Sequence, residues 1–261
     1  MSIFILGKEI PLYGLLYFTG IVIAGLVAIP LARKKQIDIT DLVASAAYSV
    51  ILGGIGAKVL FIIVSYEQIV FYKLSLMQIL RGGFVFYGGL IGGLLGLVIY
   101  VKQFKRNMPH YFDVFAAVLP LGHAFGRIGC FFAGCCYGME YHGPFSHTYT
   151  QTEGLTPLGV PLFPIQLLEA LLLATLSIVL IIVFFKFSNK NYLVTQVYIY
   201  SYAVIRFVLE FFRGDKERGA AFALSTSQWI SIALIVICFI ISIIFKKIHL
   251  NRQSKAPEVE A

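Results

Sequence analysis

The sequence predicts an all-α fold: a polytopic integral membrane bundle of seven transmembrane helices, N-terminus outside and C-terminus cytoplasmic. Three observations predict it. Of 261 residues, 59% are hydrophobic and 13% are charged, whereas about a quarter of an ordinary soluble domain is charged. The apolar runs recur at helical length, close to the roughly 20 residues that cross a bilayer core, so the chain reads as helices and not as a barrel. Lysine and arginine gather in short connections between the runs, the positive-inside pattern. The net charge of +8 therefore points to membrane topology and not to nucleic acid.

The spans fall at 11–31, 42–63, 83–101, 111–135, 164–185, 192–212 and 225–245. The first residues lack a basic n-region and a small-residue cleavage site, so the first span is expected to stay as an anchor. Arg33, Lys34 and Lys35 follow span one; Lys102, Lys105 and Arg106 follow span three; Lys186 and Lys190 follow span five; Lys246, Lys247, Arg252 and Lys255 follow span seven. The opposite side carries Lys8, Lys73, Arg81, Arg213, Lys216 and Arg218. Twelve against six sets the orientation. Residues 1–250 form a single transmembrane domain, with an outer-face loop at 137–163 that holds no lysine or arginine. The polar tail 251–261 reads as disordered and cytoplasmic.

Each of the first six spans carries its costly polar groups towards its outer end. Span one has Tyr13 and Tyr17, span two Lys58, and span three Tyr87-Gly88-Gly89. Span four ends on PLGHAFGRIGCFFAGCCYG, residues 120–138, with Arg127 inside an apolar stretch. Span five opens with Gln166 and Glu169; span six ends with Tyr198, Tyr202, Arg206, Glu210 and Arg213 near one i, i+4 stripe. Cations at membrane depth are expensive and face a bundle interior or a polar cavity. The layout predicts such a cavity in the outer half of the bilayer. Lys58, Arg127, Arg206 and Arg213 outweigh Glu169 and Glu210, so the field favours an anion. Arginine's planar fork suits phosphate, and at that depth the natural anion is a phospholipid headgroup.

On a helix, His123, Arg127, Cys130 and Gly134 share one face, while Gly122, Gly126, Gly129 and Ala133 form an adjacent small face that admits another backbone. Several features have plainer readings. Arg206 and Glu210 can be an intrahelical salt bridge. Tyr87 can belong to an interfacial aromatic belt. Gly88, Gly89, Gly92, Gly93 and Gly96 read as helix packing, the first of them also letting a ligand near the backbone. Gln166 and Glu169 can bridge to a neighbouring span. Cys130, Cys135 and Cys136 read as small buried residues. Metal binding with His142 or His147, a disulfide from Cys130, or a nucleophile activated by His123 or His142 are the alternatives. The cysteine spacing matches no standard zinc pattern, and no metal or cofactor is assigned.

With these residues in view, the chain resembles the bacterial prolipoprotein diacylglyceryl transferases. The family's WYGLMY resembles Leu12-Tyr13-Gly14-Leu15-Leu16-Tyr17. GGxxFHGGLIG resembles Gly82 to Gly92, and the signature GRxGNFxNxExxG resembles Gly126 to Gly138. HPxQLYE resembles Phe163 to Glu169, and FRxxVEFFR resembles Ile205 to Arg213. The signature departs at Cys130, Ala133 and Cys135, where the family has Asn, Asn and Glu; Tyr87 stands where it has His. Tyr13, Arg127, Gly138, Arg206, Glu210 and Arg213 are retained.

The resemblance implies transfer of a diacylglyceryl group from phosphatidylglycerol to the lipobox cysteine of a prolipoprotein signal peptide, at the outer leaflet of the bacterial cytoplasmic (inner) membrane. Arg127, Arg206, Tyr87 and Glu210 are then the expected catalytic residues. Tyr13, Lys58, Gly88, Gly138, Gln166, Glu169 and Arg213 are the expected substrate-binding residues. The changed signature leaves open a paralogous transferase that uses the same lipid with another acceptor. A lipid-binding membrane protein without catalysis is the reading from another class.

Overall fold

Long apolar runs form helices here because no water competes for their backbone hydrogen bonds. The computed structural model describes residues 2–5, 8–73, 75–152, 154, 156–215, 220–221 and 224–253. Six described helices are long and apolar enough to cross a membrane: Leu12–Lys34, Ile39–Val64, Phe86–Gln103, Met108–Ala133, Ile165–Lys186 and Thr226–Ile243. The expected span at 192–212 is a helix of 17 residues, Leu193–Leu209, continued by a 3-10 turn at Glu210–Phe212. The chain divides into two compact units, Ala28–Phe115 and Met1–Val27 with Ala116–Ala261.

The unit Ala28–Phe115 contains α2 (Ile39–Val64), two short helices α3 (Tyr66–Phe71) and α4 (Leu76–Arg81), and α5 (Phe86–Gln103). The glycine series of α5 lies against α2. A Cβ at Gly88, Gly92 or Gly96 would collide with the carbonyl oxygens of Gly56, Leu52 and Tyr48. The glycines repeat at four-residue spacing, which keeps them on one face and lets the two backbones touch. Close backbone packing is what joins apolar helices in a solvent as apolar as they are.

Lys58 of α2 donates to the carbonyls of Ile79, Leu80, Gly82 and Gly83 at 2.9–3.2 Å. Its ammonium thereby complements the negative end of α4 and sits 4.0 Å from the Phe84 ring centroid. At the start of α4, Ser75 and Gln78 form a reciprocal capping box. Asp41 accepts from the Tyr100 hydroxyl at 2.6 Å and from Arg106 at 3.0 Å. The two short helices were not expected from the sequence.

The second unit begins with an antiparallel hairpin, β1 (Ser2–Ile5) and β2 (Lys8–Pro11), also unexpected. It then holds parts of α1 (Leu12–Lys34) and α6 (Met108–Ala133), and all of α7 (Ile165–Lys186), α8 (Leu193–Leu209) and α9 (Thr226–Gln253). The small face of α6 packs on α1 as the spacing predicts. Gly122 faces Gly20 and Ala24, Gly126 faces Tyr17, and Gly129 meets Tyr13. Ala124, Ala170 and Leu173 form a buried core joined by Ile128, Ala174 and Tyr202, which ties α6, α7 and α8 together. Ser177 of α7 donates to the Ala117 carbonyl of α6 at 2.7 Å. The helix α9 takes in Asn251–Gln253. Residues 254–261 of the expected tail, and Lys216 and Arg218, lie outside the described residues.

Candidate functional site

The site grows from the C-terminal end of α6. The helix ends at Ala133, two residues before the expected boundary, and Gly134 adopts a left-handed φ of 65°. Gly134 N–H donates to Phe131 O and Cys135 N–H to Cys130 O, the paired bonds of a Schellman motif. A Cβ at Gly134 would collide with Thr152. Cys136 follows with its own positive φ of 57°. The chain therefore doubles back on the last helical turn, and the Sγ atoms of Cys130, Cys135 and Cys136 lie within 4.8 Å of one another. None of the described cysteines is joined in a disulfide.

The loop at 137–163 and the start of α7 close over this helix end. A helix leaves its last carbonyls without intrahelical donors, and here side chains supply them. Tyr149 donates to Phe131 O at 2.9 Å, Thr152 to Ala133 O at 3.1 Å, Thr156 to Gly134 O, and Gln166 to Cys135 O at 2.8 Å. Burial lifts the Tyr149 phenol to about 12, so it keeps its proton and donates. Residues 138–140 run between two backbone partners: Gly138 pairs with Arg213 and Glu140 with Leu162. A side chain at Gly138 would collide with the Phe163 carbonyl, so glycine is needed there for close approach of two main chains.

Three guanidiniums lie in this unit, each with its own partners. Arg127 Nε contacts Glu169 Oε1 of α7 at 3.1 Å and His123 Nε2 at 3.2 Å. Arg206 pairs with Glu210 one turn on and donates to Ser227 at 3.0 Å. Arg213 binds Asp215 through both arms of its fork, at 2.8 and 2.7 Å. His123 lies within electrostatic range of both Arg127 and Arg206, and Cys136 within range of both Arg127 and Arg213. The three arginines thus belong to one neighbourhood. Arg206 and Arg213 are at most 9% exposed, Gln166 and Glu169 1%.

These pairings leave donors over. The Nη1 atoms of Arg206 and Arg213 are buried with no hydrogen-bond partner among the described residues; Glu169 Oε1 and Glu210 Oε2 also lack one, but each lies in an ion pair with an arginine. A buried charged donor left unsatisfied costs more than the 1–3 kcal/mol or so of a neutral one, so native structures rarely keep one without a ligand or water. Two such N–H groups on forked cations suit the oxygens of a phosphate.

Of the expected site residues, Tyr13, Arg127, Gly138, Gln166, Glu169, Arg206, Glu210 and Arg213 lie in this unit. Tyr13 is 42% exposed and stacks with Tyr17 at 6.4 Å. Lys58, Tyr87 and Gly88 lie in the other unit. Lys58 is engaged with the carbonyls at the end of α4 and just past it, Gly88 with the α2 backbone, and Tyr87 with the Phe86 ring at 5.8 Å. The sequence reading passed over Asp215 and Ser227. Asp215 had a signal, since it stands two residues after an arginine in a polar turn. Ser227 had none, because its contact with Arg206 spans 21 residues of sequence.

The family model for prolipoprotein diacylglyceryl transferase matches residues 1–244. The phosphatidylglycerol–prolipoprotein diacylglyceryl transferase 2 of Clostridium perfringens is 33% identical over 235 residues, covering 89% of this chain and 90% of the relative. The phosphatidylglycerol–prolipoprotein diacylglyceryl transferase of Clostridium tetani is 34% identical over 88% of this chain and 91% of its own length. That of Acinetobacter baylyi is 30% identical over 79% of this chain and 77% of its own length.

Proposed function

Because the chain belongs to the prolipoprotein diacylglyceryl transferase family, we propose that it moves the diacylglyceryl group of phosphatidylglycerol onto the lipobox cysteine of a prolipoprotein. In this reading it spans the bacterial cytoplasmic membrane seven times, with its N-terminus and active site towards the outer leaflet. The twelve-to-six distribution of lysine and arginine supports that orientation.

The reaction is a displacement at carbon. The acceptor thiol gives its proton to water, sulfur attacks the glyceryl carbon bound to phosphate, a C–S bond forms and the C–O bond breaks. The departing group is glycerol phosphate, whose charge rises as the bond breaks. Stabilising that charge is the arginines' task, and preorganised cations in a dry site perform it without reorganising. Arg127, Arg206 and Arg213 form the clamp. Glu169 and Glu210 are already committed to Arg127 and Arg206, so they are positioning residues that hold the forks. A covalent enzyme intermediate on Cys130, Cys135 or Cys136 does not fit the chemistry. It would be an alkyl thioether, which a second thiol does not displace.

The observation that carries this reading is the pair of buried, unpartnered Nη1 groups on Arg206 and Arg213. The test is transfer from labelled phosphatidylglycerol to a lipobox peptide by purified protein, with thermal stability as folding control. Arg206→Lys is expected to fail nearly as badly as Arg206→Gln, because lysine keeps the charge and loses the fork. Folded variants with wild-type transfer would sink the clamp.

A further inference from the structure

The three thiols at the end of α6 are not explained by anion binding. Ordinary packing does not require three sulfurs to meet. They come from a C-x4-C-C pattern that resembles no zinc motif in sequence, and they converge only because the Schellman turn reverses the chain between them. We propose that Cys130, Cys135 and Cys136 form a three-thiolate site for a thiophilic divalent cation of the zinc type, whose open fourth position takes the acceptor thiol. The proposal rests on the transferase reading for the acceptor, and on geometry alone for the metal.

A tetrahedral ion with metal–sulfur bonds of about 2.3 Å needs sulfurs roughly 3.8 Å apart. Here all three lie within 4.8 Å of one another, close to that spacing. Among the described residues, no histidine or carboxylate joins this group. Three protein ligands with one open position is how zinc is held where it acts on a substrate, in contrast to closed four-ligand structural sites. Charge supports the same assignment. Three thiolates around a divalent ion leave one net negative charge, and Arg127 and Arg213 lie within electrostatic range of Cys136. A buried thiolate cluster without such cations would be costly.

The chemistry then matches the reaction. A thiol bound to the ion gives up its proton to water and becomes the nucleophilic thiolate. It attacks the glyceryl carbon, the C–O bond to phosphate breaks, and the product thioether, a neutral and weaker ligand, leaves. The site stands where the family's signature has Asn, Asn and Glu around the retained arginine, with thiols at two of those positions. This branch would therefore activate its acceptor with a metal.

The test uses the full chain, purified reduced in detergent and freed of metal by chelation, with Co2+ as the spectroscopic probe. The expected result is one Co2+ per chain, with a thiolate-to-cobalt charge-transfer band and the visible bands of tetrahedral cobalt. Adding a lipobox peptide should strengthen the charge-transfer band, and the same peptide with serine for cysteine should not. Cys130→Ser and Cys136→Ser should lose the band, and the wild-type arms stand even if a variant misfolds. Absence of the band in protein whose thiols titrate as reduced overturns the metal site. A band indifferent to the peptide overturns the acceptor role. Full transfer by the metal-free protein overturns the proposal and leaves the transferase intact. A peptide-responsive band without transfer from phosphatidylglycerol overturns the transferase reading and leaves the metal site standing.

Discussion

Arg127 and Glu169 are each almost useless alone at their depth. The side chains are 14% and 2% exposed and contact at 3.1 Å across two helices. Removing one partner of such a pair leaves a buried charge, which typically costs about 3–5 kcal/mol. Glu169→Ala is therefore expected to lower the melting temperature in detergent strongly. If a lipid phosphate is the clamp's ligand, phosphatidylglycerol should restore more of that loss than a zwitterionic lipid does, since a second anion then faces Arg127. Arg127→Gln should remove the lipid preference and reduce transfer by on the order of a hundredfold, the usual effect of losing one preorganised donor. Equal thermal shifts with both lipids would refute the phosphate assignment. Arg127 and Arg206 could be singled out in the sequence because a cation in an apolar run is unusual. Glu169 and Glu210 could be singled out as well, but the pairing of Arg127 with Glu169 and of Arg206 with Ser227 could not, because those partners arrive from other helices.

At the scale of elements, glycine does two different jobs. Along α5 it permits contact: Gly92 lies against the backbone of Leu52, whereas a Cβ added at Gly54 of α2 would meet nothing within 4 Å. Gly92→Leu should separate α2 from α5 and cost about 1–3 kcal/mol as an overpacked contact. Gly54→Ala should be neutral or slightly stabilising, since alanine is favoured over glycine in a helix by up to about 1 kcal/mol. Parallel thermal melts of the two variants check this, and equal losses would contradict it. At the end of α6, Gly134 instead supplies a left-handed residue. Gly134→Ala should cost at least about 1–2 kcal/mol from the αL conformation alone. It should also disturb the cysteine turn, seen as altered labelling rates of Cys135 and Cys136. The small-residue stripes were legible as periodicity. The end of α6 at Ala133 was misplaced by two residues, because apolar Cys135 and Cys136 continue the hydrophobic run past the point where Gly134 turns it.

For the whole molecule, the twelve-to-six distribution of lysine and arginine predicts which face of the membrane each connection meets. Single cysteines at Ser146 and Asn107 separate the possibilities, in a background with the native cysteines replaced. In intact cells an impermeant thiol reagent is expected to label position 146, in the loop 137–163, and to spare position 107 until the membrane is opened. Labelling in the opposite sense would invert the orientation and remove the argument for a lipid site in the outer leaflet.

Hydrophobic length and charge bias determined by themselves that this chain is a helical membrane protein, because a bilayer forces its solvent requirement onto every residue of a span. Motif spacing likewise determined the family, since Arg127, Arg206, Glu210 and Arg213 lie within short local patterns. Only the tertiary structure decided what those residues touch. It gave Arg127 to Glu169, engaged Lys58 with the carbonyls at the end of α4 and just past it, left an Nη1 of Arg206 and of Arg213 over, and drew three cysteines together around a reversed turn. The physical reason is range. Helix formation and membrane insertion are local sums over neighbouring residues, whereas a hydrogen bond or a thiol cluster depends on where the chain returns after tens of residues. That return is set by packing no short window of sequence contains.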